Sequence, residues 1–267
     1  MNFALIIPTR GDRPKFIKQC KYLISKQTLQ PTEVIWMDYK PESSAKDITQ
    51  RYRRGIEKAT NKGYRFVVFW EDDDWYHPHY LEWLVNEWKK VKCPPAFGVG
   101  ETYYYHHGIE SAHYMHHPGR TSAFCTLLKL PWRVEWPADH YPYLDMWIHK
   151  HLQPVTVMFP KNKVYAIGIK HGLGLTGGGG HKERFPFNRK DFKKWFYEHV
   201  GKDKSFYDSM KKEMKAIGFP KTPSIKNKES NLPKIKRSNV RKRTVTSNSS
   251  RTQLRGRRAK IKKIRKR

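Results

Sequence analysis

Residues Phe66-Val67-Val68-Phe69-Trp70 run directly into Glu71-Asp72-Asp73-Asp74, and the chain turns aromatic again at Trp75-Tyr76. A short, unbroken apolar run is the pattern of a strand covered on both faces, as found in parallel sheets flanked by helices. Four carboxylates at the end of such a strand repel one another strongly where the dielectric is low. They take up protons unless a cation lies among them. Carboxylate oxygens are hard ligands that suit Mg²⁺ or Mn²⁺. The run therefore points to a metal–nucleotide site at the carboxyl edge of a sheet. A plainer use of the same residues is a solvated acidic turn in which Asp74 caps the next helix.

The flanking sequence predicts the sheet. Strand-like runs at Phe3–Ile7, Glu33–Met37 and Arg65–Trp70 alternate with helical patterns at Lys15–Lys26 and Ala45–Thr60. Such a βαβαβ series implies parallel strands with right-handed crossovers. Further helices are expected at His79–Lys90, Tyr143–His151, Asp191–His199 and Lys204–Ile217. Further strands are expected at Ala96–Gly100, Ala123–Lys129, Val155–Phe159 and Val164–Ile169. Tyr103–His117, dense in Tyr and His, reads as a hairpin with outward histidines and inward tyrosines. A zinc site or a stacking platform are its alternatives. Ligands of open α/β sheets bind beyond the carboxyl ends of the strands. Pro8-Thr9-Arg10-Gly11, Asp38 and Glu71–Asp74 converge there. No glycine-rich phosphate fingerprint follows the first strand, so neither a P-loop nor a dinucleotide site is supported.

Charge divides the chain into a domain at 1–219 and a tail at 220–267. The tail holds 19 Lys and Arg against one acid, Glu229, in a chain of net charge +30. With no aromatic residue it cannot bury enough surface to offset its chain entropy, and disorder is expected. Its basic runs, among them Lys236, Arg237, Arg241, Lys242, Arg243, Arg257 and Arg258, are suited to a polyanion, DNA first and an anionic membrane surface second. Cys20, Cys93 and Cys125 form no disulfide or zinc pattern, which fits a reducing, cytoplasmic setting; the same basic tail would also serve nuclear import. No 18-residue apolar run is present, and the N-terminus reads as the first strand rather than as a signal peptide.

Several of these segments resemble the family 2 glycosyltransferases of the GT-A fold. Ile6-Ile7-Pro8-Thr9-Arg10-Gly11 is similar to the family's opening strand and nucleotide-binding loop, and Trp36-Met37-Asp38 to its base-binding Asp. Tyr52-Arg53-Arg54-Gly55-Ile56-Glu57-Lys58-Ala59 resembles the helix before the metal strand. Glu71 to Leu81 resembles the metal motif and the helix after it, and Leu144-Asp145-Met146-Trp147 the motif that supplies the catalytic base. The resemblance spans about Asn2–Ile169. Three positions depart from the pattern: Glu71 stands for the usual Asp, Leu144 for Glu and Arg53 for Asn.

The resemblance implies a mostly parallel GT-A sheet flanked by helices and a metal-dependent transfer from a nucleotide sugar, UDP-linked, to a hydroxyl. It implies donor binding by Pro8, Thr9, Arg10, Asp38, Arg53 and Asp72. Mn²⁺ or Mg²⁺ would be held by Asp73 with Glu71, and by His171 as a late ligand, with His181 next in line. Asp145 would be the base of an inverting reaction; its alternative is to cap the helix that follows. The glycine-rich stretch from His171 to His181 reads as a mobile lid or a phosphate-approaching loop. Trp132, Trp136 and Trp147 are candidates for an acceptor cleft, with core packing the simpler role for Trp147. The basic tail directs the acceptor expectation to DNA with hydroxymethylated pyrimidines, as in some phages, reached by base flipping. Cell-surface polysaccharide, a non-catalytic nucleic-acid binder and a metal-dependent nuclease are the competing readings.

Overall fold

The structure is a computed structural model that describes residues 1–11, 13–40, 47–107, 111–141, 143–171 and 191–217. The chain divides into two units, Met1–Pro223 and Ser224–Arg267, and the described residues all belong to the first. The basic tail, its named lysines and arginines, and the glycine-rich stretch with His181 lie outside the described residues.

The first half alternates as the sequence predicts. β1 (Phe3–Pro8), α1 (Pro14–Ser25), β2 (Glu33–Met37), α2 (Ile48–Asn61) and β3 (Phe66–Phe69) follow one another, with β1 paired parallel to both β2 and β3. Successive side chains of a strand point to opposite faces, and the core divides accordingly. Phe3, Leu5, Ile7, Phe66, Val68 and Trp70 pack on one face with Cys20 and Leu23 of α1. Ala4, Ile6, Val67 and Phe69 pack on the other with Tyr52 and Ile56 of α2. This two-sided burial is the reason β3 is apolar without interruption. α2 approaches β1 so closely that a Cβ on Gly55 would stand 2.5 Å from Ile6 Cγ2.

The second half follows as β4 (Trp75–Tyr76), α3 (Tyr80–Lys90), β5 (Ala96–Val99), β6 (Glu101–His106), β7 (Ser111–His116), β8 (Thr126–Lys129), α4 (Leu144–Leu152), β9 (Val155–Val157), β10 (Ala166–Lys170), α5 (Phe192–Val200) and α6 (Lys204–Ile217). The main sheet has the order β2-β1-β3-β8-β5-β9, with β8 antiparallel to both neighbours and the other pairs parallel. It is the mixed, mostly parallel α/β sheet flanked by helices that the sequence predicts.

Beside that sheet, β4, β10, β6 and β7 form a second one of four strands. The Tyr103–His117 hairpin exists as β6–β7, but the expectation of outward histidines holds only in part, His116 being exposed. His106, His107 and His113 are buried beside Tyr104 and Tyr105. The pairing of β10 with β6 puts Gly168 against the Tyr104 ring, 2.5 Å from where a Cβ would stand. Among the described residues, no helix is long and apolar enough to cross a membrane.

Candidate metal and donor site

The ends of β1 and β2 are held together by a residue two positions from the arginine the sequence singled out, and the end of β3 joins them through the Thr9–Asp72 hydrogen bond. Arg51 of α2 is 1% exposed. Its Nη1 donates to the carbonyls of Thr9 (2.8 Å) and Met37 (2.7 Å), while Nε and Nη2 donate to Asp47. The guanidinium lies over the Tyr39 ring at 4.2 Å. One buried cation thus ties together the carboxyl ends of β1 and β2. Arg53 turns elsewhere: it pairs with Asp139 at 2.9 Å and with Glu57 at 3.7 Å. Asp38 is exposed at the end of β2, its carbonyl 3.4 Å from where a Cβ on Gly11 would stand.

The four acids have separate surroundings. Asp72 has both oxygens engaged: Oδ2 accepts from the Thr9 hydroxyl and Oδ1 from Arg13 Nη2, both at 2.6 Å. Asp73 Oδ2 accepts from Arg13 Nη1 at 2.6 Å and from His171 Nε2 at 2.8 Å. Asp74 Oδ1 accepts from the Ile169 amide of β10 at 2.7 Å, and its buried Oδ2 has no hydrogen-bond partner among the described residues. Glu71 accepts no side-chain hydrogen bond among them; only its amide is engaged, donating to Tyr76 Oη at 2.9 Å. Glu71, Asp73 and Asp74 each offer an oxygen within 4.8 Å of the others.

One assignment changes as a result. Asp74 does not begin the next helix; α3 starts at Tyr80 and its N-cap position is His79. Asp74 joins Glu71 and Asp73 in the carboxylate triad. His171 reaches the cluster, but the nitrogen it presents faces a carboxylate, which only accepts, and so carries a proton. His171 stands beside Asp73, where the sequence places it as a candidate ligand. Its 3.3 Å approach to Arg13 Nη1 brings two donors together and is proximity alone.

The electrostatics describe a cluster short of positive charge. Four carboxyl groups face two permanent cations, Arg13 and Lys170. Burial pushes Glu71 up to about 7, and Asp73 and Asp72 add to it against the pull of Lys170. Burial and the Asp73 charge push Asp72 up to about 6, against Arg13 and Thr9. Burial, with Glu71 beside it, drives Asp74 well above the ordinary range. Asp73 goes the other way: burial opposes its charge, yet Arg13 and His171 hold it well below the usual carboxylate value. Lys170 stays protonated despite its burial because Tyr104, Asp74, Glu71 and Asp73 surround it. The three-carboxylate donor set fits one divalent cation.

Asp145 lies in the first turn of α4. It is not the cap: Tyr143 holds that position and makes no side-chain capping bond. Burial raises the Asp145 carboxyl above its ordinary value, although Arg120 and His117 pull it down. The turn that carries those two residues is fixed to α4 by His149 Nδ1, 2.8 Å from the Gly119 carbonyl. The aromatic residues around α4 are only half-buried. Trp132 stacks on Trp136 at 4.2 Å, Trp147 stacks on His151 at 4.2 Å, and Tyr143 is 57% exposed.

Reading the sequence missed Arg13, Arg51, Asp74 and Lys170. A signal existed for Arg51, since Asp47 precedes it by the four residues that bring helix side chains together. The other three depend on contacts between distant segments.

No family model matches this chain, and no curated protein matches it. Solved structures do resemble it, at low similarity. S. aureus TarS 1-349 in complex with UDP-GlcNAc gives a TM-score of 0.40 at 12% identity, covering 64% of this chain and 59% of that one. The same TarS fragment in complex with UDP gives 0.35 at 13% identity, covering 63% and 60%. A197 from STIV gives 0.38 at 12% identity, covering 59% and 82%. The chain thus spans less than two thirds of the length of these TarS structures.

Proposed function

We propose that this chain is a metal-dependent glycosyltransferase of the GT-A type, moving a sugar from a UDP-linked donor to a hydroxyl acceptor. One observation carries the reading. At the end of a buried strand, Glu71, Asp73 and Asp74 bring oxygens within 4.8 Å of one another. These three residues would hold a divalent cation, which would supply Lewis-acid neutralisation of the leaving diphosphate. The chain's own residues do the rest. Pro8, Thr9, Arg10 and Asp38 border the donor beyond β1 and β2, and Arg51 fixes that ledge through the Thr9 and Met37 carbonyls. Thr9 and Arg13 keep Asp72 in place beside it. His171 holds Asp73 by a hydrogen bond. Asp145 accepts the proton of the acceptor hydroxyl as that oxygen attacks the anomeric carbon, which gives inversion. A carboxyl raised by burial is a stronger base than a solvated one.

The acceptor we propose is a hydroxymethylated pyrimidine in DNA. The sequence of the tail supports it, with 19 basic residues against one acid, a composition that binds phosphate backbones through counterion release. The base must leave the stack for its hydroxyl to meet Asp145. The test incubates the full chain with Mn²⁺, a panel of nucleotide sugars headed by UDP-glucose and UDP-GlcNAc, and hydroxymethylated or unmodified DNA. Mass spectrometry of the DNA should report one added sugar per modified base. Donor hydrolysis without transfer to DNA would retain the transferase and discard the acceptor. No donor consumption with any sugar would discard both.

A further inference from the structure

Asp72 and Asp73 share a cation that belongs to the chain. Arg13, at the entry to α1, spreads its guanidinium between them: Nη2 to Asp72 Oδ1 and Nη1 to Asp73 Oδ2, each at 2.6 Å. Its side chain is 14% exposed and lies over the Phe16 ring at 5.6 Å. The two carboxylates differ in what remains to them. Asp72 has both oxygens engaged, the second by Thr9. Asp73 has one oxygen engaged twice, by Arg13 and His171, and among the described residues no hydrogen bond reaches Oδ1. Asp73 alone therefore belongs both to the arginine fork and to the triad with Glu71 and Asp74.

An ion in the triad and the guanidinium draw on the same carboxylate and repel each other. We propose that Arg13 is a resident counter-cation: it neutralises Asp73 while no divalent ion is present and weakens the ion's binding when one arrives. The inference rests on the metal-site reading above. Removing Arg13 takes one positive charge from beside Asp73, which strengthens the attraction for a cation. A guanidinium that served only as scaffolding for Asp73 would act oppositely, because its loss would let the ligand swing away and weaken binding.

Full-length wild type, Arg13→Gln and Arg13→Lys are compared by calorimetric titration with Mn²⁺ alone, after EDTA treatment. Arg13→Gln should bind Mn²⁺ tighter than wild type by about tenfold or more, equivalent to about 1.4 kcal/mol per tenfold. Its melting temperature should be lower without metal and recover when Mn²⁺ is added. Arg13→Lys should fall between, because an ammonium is a point charge that cannot span both carboxylates. Equal or weaker binding by Arg13→Gln overturns the counter-cation. Should that variant not fold, Arg13→Lys decides, with tighter binding supporting the idea and equal or weaker binding refuting it. Absence of Mn²⁺ binding in wild type and variants alike would instead remove the metal site, and the inference with it.

Discussion

Replacing Glu71 by Gln should stabilise the metal-free protein at alkaline pH, an unusual outcome for a substitution in a buried site. Glu71 accepts no side-chain hydrogen bond among the described residues and sits beside three other carboxylates. Its carboxyl is pushed up to about 7 from an ordinary 4.5, first by burial. Between those two values the folded protein holds a proton that the unfolded chain releases. Stability is therefore fully present below the unfolded value and declines as pH rises through the window. At about 1.4 kcal/mol per unit, the loss by pH 8 is on the order of 3 kcal/mol. Gln preserves the shape and removes the charge, so it avoids the loss. Urea denaturation with EDTA, followed by tryptophan fluorescence, should show Glu71→Gln ahead of wild type by up to that amount at pH 8 and by little at pH 4.5. Mn²⁺ should then reverse the order, since wild type gains a ligand that the variant lacks. A Glu71→Gln protein less stable than wild type at pH 8, or equally shifted at both pH values, would show that the Glu71 charge does not destabilise the metal-free fold.

Thr9→Val removes the hydroxyl that donates to buried Asp72 Oδ2 at 2.6 Å. Leaving that oxygen unpaired should cost about 1–3 kcal/mol in chemical denaturation, and donor KM should rise. Gly55→Ala sets two effects against each other. Helix propensity favours Ala by about 1 kcal/mol, but the new Cβ would stand 2.5 Å from Ile6 Cγ2, and overpacking costs about 1–3 kcal/mol. The packing term wins, and a lower urea midpoint is expected. Asp145→Asn should lower kcat by about 10²–10⁴, the usual contribution of a positioned base, while the calorimetric Mn²⁺ affinity stays at the wild-type value.

Local pattern made the scaffold legible. The run Phe66–Phe69 announces a strand because both of its faces are covered, and the alternation of Phe3, Leu5 and Ile7 with Ala4 and Ile6 maps directly onto two cores. The acids at the end of that strand were equally plain. Their division of labour was not. Asp74 reads as a cap until β10 delivers the Ile169 amide from 95 residues away. Arg51 and Arg53 differ by two residues, which on a helix means nearly opposite faces. Only the distant Met37 and Thr9 carbonyls and Asp139 settle which one turns inward. The second sheet escaped notice for a similar reason. β4 is two residues long, and β10 pairs with β6 across more than 60 residues of chain. The hairpin histidines carry no apolar signature, yet His107 Nε2 meets the Tyr207 carbonyl of α6 and is buried by it.

If Glu71, Asp73 and Asp74 hold a divalent cation that serves a nucleotide diphosphate, the ion can be counted as bound Mn²⁺ by electron paramagnetic resonance, with and without UDP. One ion per chain is expected, held more tightly when UDP is present and lost in Asp73→Asn. Wild type that binds no Mn²⁺ with UDP present, or an Asp73→Asn variant that binds it as wild type does, would rule the site out.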